Sequence, residues 1–281
     1  MDDTAPHIFD FAANAPPPIS RRTALIVIIA AVVVIVVWTL GTPPGILGKA
    51  DAIGYAICHR IPARSFNIDE LPMPLCARCT GIYLGVMISF LITHAAGRGR
   101  ASWLPPRNVL IALGLFVVLM GIDGVNSYLN FFPGYVGPYQ PHNDLRLITG
   151  MLCGLAMFHI VYPVFNGIVW RQPEEQQALT NLKELAGLCA VAGIAILLVI
   201  SERPVFEWVL GVLSTIGVML MLTLIGTVLF LSTVRKLRIA STGRDLLIPL
   251  LAGFTIALIE VGAIDLLRLA LTGTWNGFNL G

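Results

Sequence analysis

Seven long apolar runs are the feature that most constrains how this chain can fold. A helix needs roughly 20 mainly apolar residues to cross a bilayer, and each run comes close to that length or exceeds it. We predict spanning helices over 23–41, 79–96, 108–128, 145–169, 185–201, 205–233 and 246–270. Since 56% of the residues are hydrophobic and 12% are charged, about half the charge of a soluble domain, the sequence predicts an all-α, polytopic integral membrane protein.

These spans divide the chain into four parts. We predict a polar cytoplasmic tail over residues 1–22, a first transmembrane anchor over 23–41, a motif-bearing membrane domain over 42–170, and three further spanning helices within 171–281. The paired arginines before the first span resemble the start of a signal peptide. Its apolar run is long, however, and no small-residue cleavage site follows closely. We expect this segment to be retained as an anchor.

Lysine and arginine residues are shared unevenly between the two sides of these spans. With alternating loops, eleven fall on the side of the N-terminus and seven on the other side. Because cytoplasmic loops carry the excess of Lys and Arg, we predict a multi-pass protein of the cell (cytoplasmic) membrane with its N-terminus inside. The loop after the first span is then extracytoplasmic. The net charge of +2 is spread along the chain, so a nucleic-acid partner is not expected.

That outer loop contains the densest group of reactive residues. Three of the five cysteines, a histidine and three arginines lie within 22 positions. They are Cys58, His59, Arg60, Arg64, Cys76, Arg78 and Cys79. Residues this polar beside a membrane cost free energy unless they are paired, ligated or used. Pro72 and Pro74 suit a helix entry, which would place Cys76 and Cys79 on one face of a first turn, where the helix dipole favours thiolates.

The pattern of these thiols favours a metal site. Cys58, Cys76 and Cys79 would bind zinc or another transition metal in a tetrahedral arrangement, with His59 as a candidate fourth ligand. Two other residues, His142 and Asp123, are further candidates for the fourth position. The spacing of a C-x-x-C pair with a third cysteine 18 residues upstream is typical of such sites but is not restricted to them.

Two alternatives for the thiols stay open. A membrane thiol–disulfide redox protein would use Cys76 and Cys79 as a dithiol with Cys58 as the resolving partner. A plain disulfide would tie the outer loop to the next helix and stabilise the fold. Covalent c-type haem is not expected, because Thr80 follows Cys79 where that motif requires histidine.

The arginines at the outer boundary predict an anionic ligand. Arg60, Arg64, Arg78 and Arg146 offer planar donor groups that match phosphate or carboxylate. Asn143, at the same end of the fourth span, is a further candidate ligand-binding residue. Such a site suits an anionic lipid headgroup, a lipid-linked phosphate or a carboxylated small molecule. The alternative is that the arginines snorkel and hold the protein at the membrane interface.

Whether this site catalyses a reaction is left open by the residues. In an enzyme, the metal or a thiolate would act on an anionic substrate held by Arg64 and Arg146, with Asp123 as a base or ligand. In a non-catalytic protein, the loop would dock a partner, and the chain would be an accessory subunit of a larger membrane complex. The last span places Asp265 and Arg268 at the same outer end.

Small residues predict which spans are neighbours. Gly81 and Gly85 in the second span, and Gly150 and Gly154 in the fourth, are each spaced four apart. This spacing lets two helix backbones approach closely in a membrane. We therefore expect the helix that carries Cys76 and Cys79 to pack beside the helix that carries Arg146.

The order of these motifs resembles a known family. The resemblance rests on Cys58-His59-Arg60-x-Pro62-x-Arg64-Ser65-Phe66, Leu75-Cys76-Ala77-Arg78-Cys79-Thr80-Gly81-x-Tyr83-x-Gly85, Asp123-Gly124 and Asn143-x-x-Arg146-x-x-Thr149-Gly150. It resembles the prokaryotic membrane proteins of domain-of-unknown-function family 2085, over about residues 45 to 160. The resemblance implies no particular activity. It does imply that the cysteines, Asp123, Asn143 and Arg146 belong to one signature.

Overall fold

The computed structural model of the chain describes residues 18–68 and 71–275. The predicted polar tail therefore lies mostly outside the described residues. Within them the chain forms eight α-helices. The helices are α1 (Arg21–Gly41), α2 (Gly45–Ile57), α3 (Ala77–Ala95), α4 (Arg107–Leu129), α5 (Asn143–Val169), α6 (Leu182–Ile200), α7 (Pro204–Thr233) and α8 (Leu247–Thr272).

Short strands and turns connect these helices. The strands β1 (Asn67–Ile68) and β2 (Leu71–Pro72) pair antiparallel in the loop between α2 and α3, and β3 (Ala101–Trp103) and β4 (Glu174–Gln177) pair parallel at the opposite end of the helices. Single 3₁₀ turns cover Pro62–Arg64 and Gly243–Leu246. The strands are too short to form a sheet layer, so the fold is all-α.

Seven of the helices confirm the predicted spans. These helices, α1 and α3 to α8, are long and apolar enough to cross a membrane. Their ends differ from the predicted ends by a few residues at most. The structure adds α2, which the sequence analysis treated as part of the outer loop. With 13 residues, α2 is shorter than a membrane span requires, so span length cannot detect it.

The core forms around α5. Of the most apolar stretch of α5, 67% of the residues are buried, against 11% in α1, so α5 is central and α1 peripheral. Leu147 and Leu155 of α5 pack with Leu84 of α3, Leu113 of α4 and Leu188 of α6 in one apolar cluster. On the other side of the fold, α8 packs against α7, α1 and α2. The outward faces of α1 and α4 are apolar, as a bilayer requires.

The contact between α3 and α5 depends on four glycines. A Cβ at Gly81 or Gly85 would overlap a backbone carbonyl oxygen of α5. Likewise, a Cβ at Gly150 would overlap the carbonyl oxygen of Arg78, and one at Gly154 would overlap that of Ile82. The prediction that these two helices pack side by side is confirmed, and their backbones are in direct contact. This contact places the first turn of α3 beside the first turns of α5.

We expect Gly154→Ala to destabilise the protein, because the added methyl meets backbone that cannot rotate away. Overpacking of this kind typically costs about 1 to 3 kcal/mol. The matched control is Gly114→Ala on the exposed face of α4, where a Cβ meets nothing within 4 Å. Thermal unfolding of the purified protein in detergent should show a lower Tm for Gly154→Ala alone. Equal Tm values for the two variants would contradict the close contact.

Candidate metal centre and arginine cluster

The first turn of α3 positions two of the three loop thiols. Pro72 and Pro74 precede this helix, as predicted, and Cys76 is its N-cap residue with an extended backbone. Because Cys79 follows three residues later, both side chains lie on the same side of the turn. The unpaired N–H groups at a helix N-terminus favour negative charge, so this position suits thiolates.

Cys58, the third thiol, is the C-cap residue that follows α2. Its backbone N–H donates to the carbonyl of Gly54 at 2.8 Å and closes the last turn. Gly54 lies so close to the Pro74 carbonyl that a Cβ would overlap it. This backbone contact holds the end of α2 against the segment that leads into α3. As a result, the Sγ atoms of Cys58, Cys76 and Cys79 lie within 4.8 Å of one another.

This group of three thiols fits a tetrahedral metal ion. Sulfurs that share one zinc ion at about 2.3 Å stand about 3.8 Å apart. Each Sγ–Sγ distance would therefore have to shorten by at most about 1 Å for the three thiols to bind one ion. Cys58 and Cys76 are each 3% exposed, and Cys79 is half-buried. In residues 18–68 and 71–275, no other three metal-ligating side chains come this close together.

Hydrogen bonds at Cys58 favour a charged sulfur. The backbone N–H groups of Arg60 and Cys76 donate to its Sγ at 3.5 and 3.3 Å, and the left-handed backbone of Arg60 (φ 50°) shapes this turn. The contacts with Cys76 and Cys79 hold the pKa of Cys58 well below its usual range, although burial opposes them. Thiolate is the form that binds metals.

His59 lies against the same sulfur. Its Nδ1 is 3.5 Å from the Sγ of Cys58. Its contacts with Cys58, which contributes most, and with Cys76 raise the pKa of His59 to about 9. His59 does not belong to the mutually close group of three thiols. The other candidate fourth ligands do not belong to that group either. His142 is exposed before α5, and the carboxylate of Asp123 is bonded to Arg78 and Tyr139.

A second polar group, here called the arginine cluster, comprises Arg64, Arg78 and Arg146. It surrounds Asp123, which is 0% exposed. Arg78 donates to Oδ2 of Asp123, and the Tyr139 hydroxyl donates to Oδ1 at 3.1 Å. Both oxygens of this carboxylate are therefore occupied, and Asp123 holds Arg78 in place.

Ser127 and Asn143 join the remaining members of the arginine cluster. The Ser127 hydroxyl accepts from Arg78 at 3.1 Å and from Arg146 at 3.4 Å, while its carbonyl accepts from Arg64 at 2.9 Å. Asn143 accepts from Arg146 at 2.7 Å. The structure thus brings together residues from α3, α4, α5 and the segment between α2 and α3 that the sequence analysis assigned to one site.

Positive charge exceeds negative charge in this cluster. Three guanidinium groups lie around the single carboxylate of Asp123, which leaves an excess of two positive charges. Burial lowers the pKa of Arg64, and repulsion from Arg146 and Arg78 lowers it further, while Cys76 and Asp123 oppose this. Because Cys76 interacts electrostatically with Arg64 and Arg146, the arginine cluster and the three thiols form neighbouring parts of one site.

Arg60 is not part of the arginine cluster. Its guanidinium pairs with the carboxylate of Asp51 on α2 at 2.8 Å, and burial raises the pKa of Asp51 while Arg60 opposes that rise. This pair ties the Cys58 turn back to α2. Arg60 therefore supports the thiol group, whereas Arg64, Arg78 and Arg146 face one another.

Sequence reasoning missed Asp51, Tyr55 and Tyr139. Asp51 and Tyr55 lie in α2, which is too short to be recognised by hydropathy. Tyr139 lies in a loop rich in proline, glycine and aromatic residues, where no periodicity indicates a partner. A lone carboxylate in an apolar stretch was the available signal for Asp51, because such a residue needs a partner near a membrane.

Seven apolar helices with a buried polar site at one end define a multi-pass membrane protein. The family model described as Predicted membrane protein (DUF2085) matches residues 58–160, which include the three thiols and the whole arginine cluster. Together with the relatives below, this match shows that the chain belongs to that family. No solved structure matches the chain.

Two archaeal proteins are similar to this chain, each over a stretch of somewhat more than 100 residues. An uncharacterized protein of Methanocaldococcus jannaschii is 30% identical over 121 residues, which is 43% of this chain and 71% of that protein. An uncharacterized protein of Methanothermobacter thermautotrophicus is 33% identical over 101 residues, which is 36% of this chain and 80% of that protein. The similarity therefore covers most of each relative and less than half of this chain.

Asp123→Asn should destabilise the protein strongly, because it leaves three arginines without their carboxylate. Breaking a buried ion pair on one side costs about 3 to 5 kcal/mol. The control is Asp144→Asn, at an exposed position in α5. Adding Arg78→Gln to Asp123→Asn should recover part of the loss in unfolding free energy, as measured by denaturant titration. No loss on Asp123→Asn would show that Asp123 is not the counter-charge of the cluster.

Proposed function

We propose that Cys58, Cys76 and Cys79 bind zinc or another transition metal, with His59 as the fourth ligand. The observation that carries this proposal is the close approach of three thiols from two separate segments. His59 is the best placed further ligand, because its imidazole already contacts the Cys58 sulfur. The three sulfurs and the imidazole would hold the metal at the N-terminal end of α3. With all four positions filled, it would act as a Lewis acid only where the imidazole gives way to a substrate oxygen.

The proposed ligand of the neighbouring arginine cluster is anionic and is borne by a lipid or linked to one. The excess positive charge of Arg64, Arg78 and Arg146 supports this, because guanidinium groups match phosphate and carboxylate. Asn143 orients Arg146. Asp123 acts through Arg78 in this arrangement, since a role as base would require its contacts with Arg78 and Tyr139 to open.

The proposed location of this site is the extracytoplasmic face of the cell membrane. The Lys and Arg excess on the side of the N-terminus supports this orientation. EDTA does not cross membranes, so its effect reports the orientation. It should remove the metal from the protein in sealed right-side-out vesicles, and it should spare the metal in inside-out vesicles.

A thiol–disulfide redox function is the second candidate. The same closeness of Cys58, Cys76 and Cys79 favours it, because a resolving thiol must reach the dithiol.

An accessory subunit is the non-catalytic alternative, in which the metal or a disulfide shapes a docking loop. Substitutions that remove a co-purifying partner without any change in catalysis would favour that alternative.

Metal content of the purified protein tests the leading proposal. Wild-type protein should contain near-stoichiometric zinc, iron or copper, and the Cys76→Ser/Cys79→Ser variant should lose it because two of the ligands are gone. Cys153→Ser/Cys189→Ser is the matched control, since those thiols lie apart in α5 and α6. Metal-free wild-type protein whose thiols label only after reduction would instead support the redox or disulfide alternatives.

Arg146→Ala tests the anionic ligand. A charged hydrogen bond contributes about 1.5 to 3 kcal/mol, so binding of the anion should weaken about tenfold or more while the metal content stays unchanged. Native mass spectrometry should show that wild-type protein retains phosphatidylglycerol in preference to phosphatidylcholine. Arg203→Ala, at an exposed turn before α7, is the control. Equal phosphatidylglycerol retention by wild type and Arg146→Ala would contradict the proposed anion site.

A further inference from the structure

Arg268, near the end of α8, reaches the end of α2. Its guanidinium donates to the backbone carbonyls of Tyr55 and Cys58, the latter at 2.6 Å, and to that of His59 at 3.3 Å. These three carbonyls belong to the last turn of α2 and the two residues that follow it. One side chain from a distant helix therefore fixes the backbone on either side of the Cys58 thiol.

The same end of α8 encloses Tyr55. The Arg268 guanidinium lies over the Tyr55 ring, 4.1 Å from its centroid. The Tyr55 hydroxyl contacts the Thr272 hydroxyl at 3.0 Å and donates to the Thr274 carbonyl at 2.6 Å. Because Tyr55 is 0% exposed, it anchors α2 under α8. The position of Arg268 is thus set by packing as well as by hydrogen bonds.

The last turn of α2 itself contains no cation. A helix leaves its last carbonyls without partners inside the helix, and a positive charge there is favourable. From α8, Arg268 supplies both hydrogen-bond donors for these carbonyls and a positive charge. Its planar guanidinium can donate to several acceptors at once. Lysine, with a single ammonium group, would satisfy fewer of these carbonyls.

We propose that Arg268 is a positioning residue of the metal centre, which holds the Cys58 thiol in place through the carbonyls beside it. This inference rests on the proposed metal-binding function. Three thiolates and a divalent ion together carry a net negative charge, so a nearby cation also balances the charge of the centre. Arg268 lies outside residues 58–160, which match the family model. The C-terminal part of the chain thus completes a centre whose ligands lie in the shared part.

Asp265 is the acidic neighbour of Arg268 on α8. It lies one turn earlier on α8, is 2% exposed, and interacts electrostatically with Arg268. Neither of its carboxylate oxygens has a hydrogen-bond partner within the described part of the chain. The guanidinium of Arg268 therefore donates to the carbonyls at the end of α2 and not to this carboxylate.

The first test compares metal affinity in Arg268→Gln, Arg268→Lys and the control Arg203→Gln. Loss of an outer partner of a metal ligand typically weakens metal binding about 10- to 100-fold. Chelator competition should therefore give a zinc Kd that is at least about tenfold higher for Arg268→Gln, intermediate for Arg268→Lys, and unchanged for Arg203→Gln. The sulfur-to-cobalt absorption band of the cobalt-loaded protein should shift in Arg268→Gln. Unchanged affinity and spectrum would overturn the proposal.

The second test needs no metal, so it separates failure of this inference from failure of the proposed function. After treatment with chelator, Cys58 should react with a maleimide at least about tenfold faster in Arg268→Gln than in wild type or Arg203→Gln, because local opening exposes a buried thiol. Peptide mass spectrometry identifies the labelled thiol, and Cys153 serves as the internal control. If wild type binds no metal but this difference is found, the positioning role stands alone. Equal labelling of Cys58 in all three proteins would refute the positioning role.

Discussion

The backbone contact between α3 and α5 is the interaction on which the rest of the structure depends. Helices in a membrane gain little from apolar burial against each other and associate through close packing instead. Four glycines let these two backbones touch, and the contact extends to the first turn of α3, where Gly150 meets the Arg78 carbonyl. The thiols of that turn and Arg146 are consequently held at one depth. A side chain at any of these four positions would move the site as well as the helices.

The first turn of α3 serves two neighbouring groups because of helical geometry. Cys76 and Cys79 share one side, whereas Arg78, between them, points elsewhere and pairs with Asp123 on α4. Charges of opposite sign therefore leave the same turn in different directions. The thiols face Cys58 and the end of α2, and Arg78 faces α4 and α5. This division explains how a mostly buried, thiolate-favouring group and an excess of positive charge can lie side by side near a membrane.

Local patterns predicted much of this arrangement, and tertiary contacts account for the remainder. Span length and hydropathy identified seven helices because the bilayer fixes how long an apolar helix must be. The glycine spacing identified α3 and α5 as neighbours, and the cysteine spacing identified the thiol group. The short helix α2, the pairing of Arg60 with Asp51, and the approach of Arg268 to Tyr55 were not predicted. Each depends on residues that are brought together by the fold and have no periodic signature of their own.

The central claim is that the three thiols share one metal ion. X-ray absorption at the metal edge of the purified protein tests it most directly, because the spectrum counts sulfur neighbours around the ion. The predicted result is a metal with three sulfur neighbours at about 2.3 Å. The number of sulfur neighbours should fall when Cys58 is replaced by serine. A metal surrounded by oxygen and nitrogen alone, or protein without metal, would contradict it.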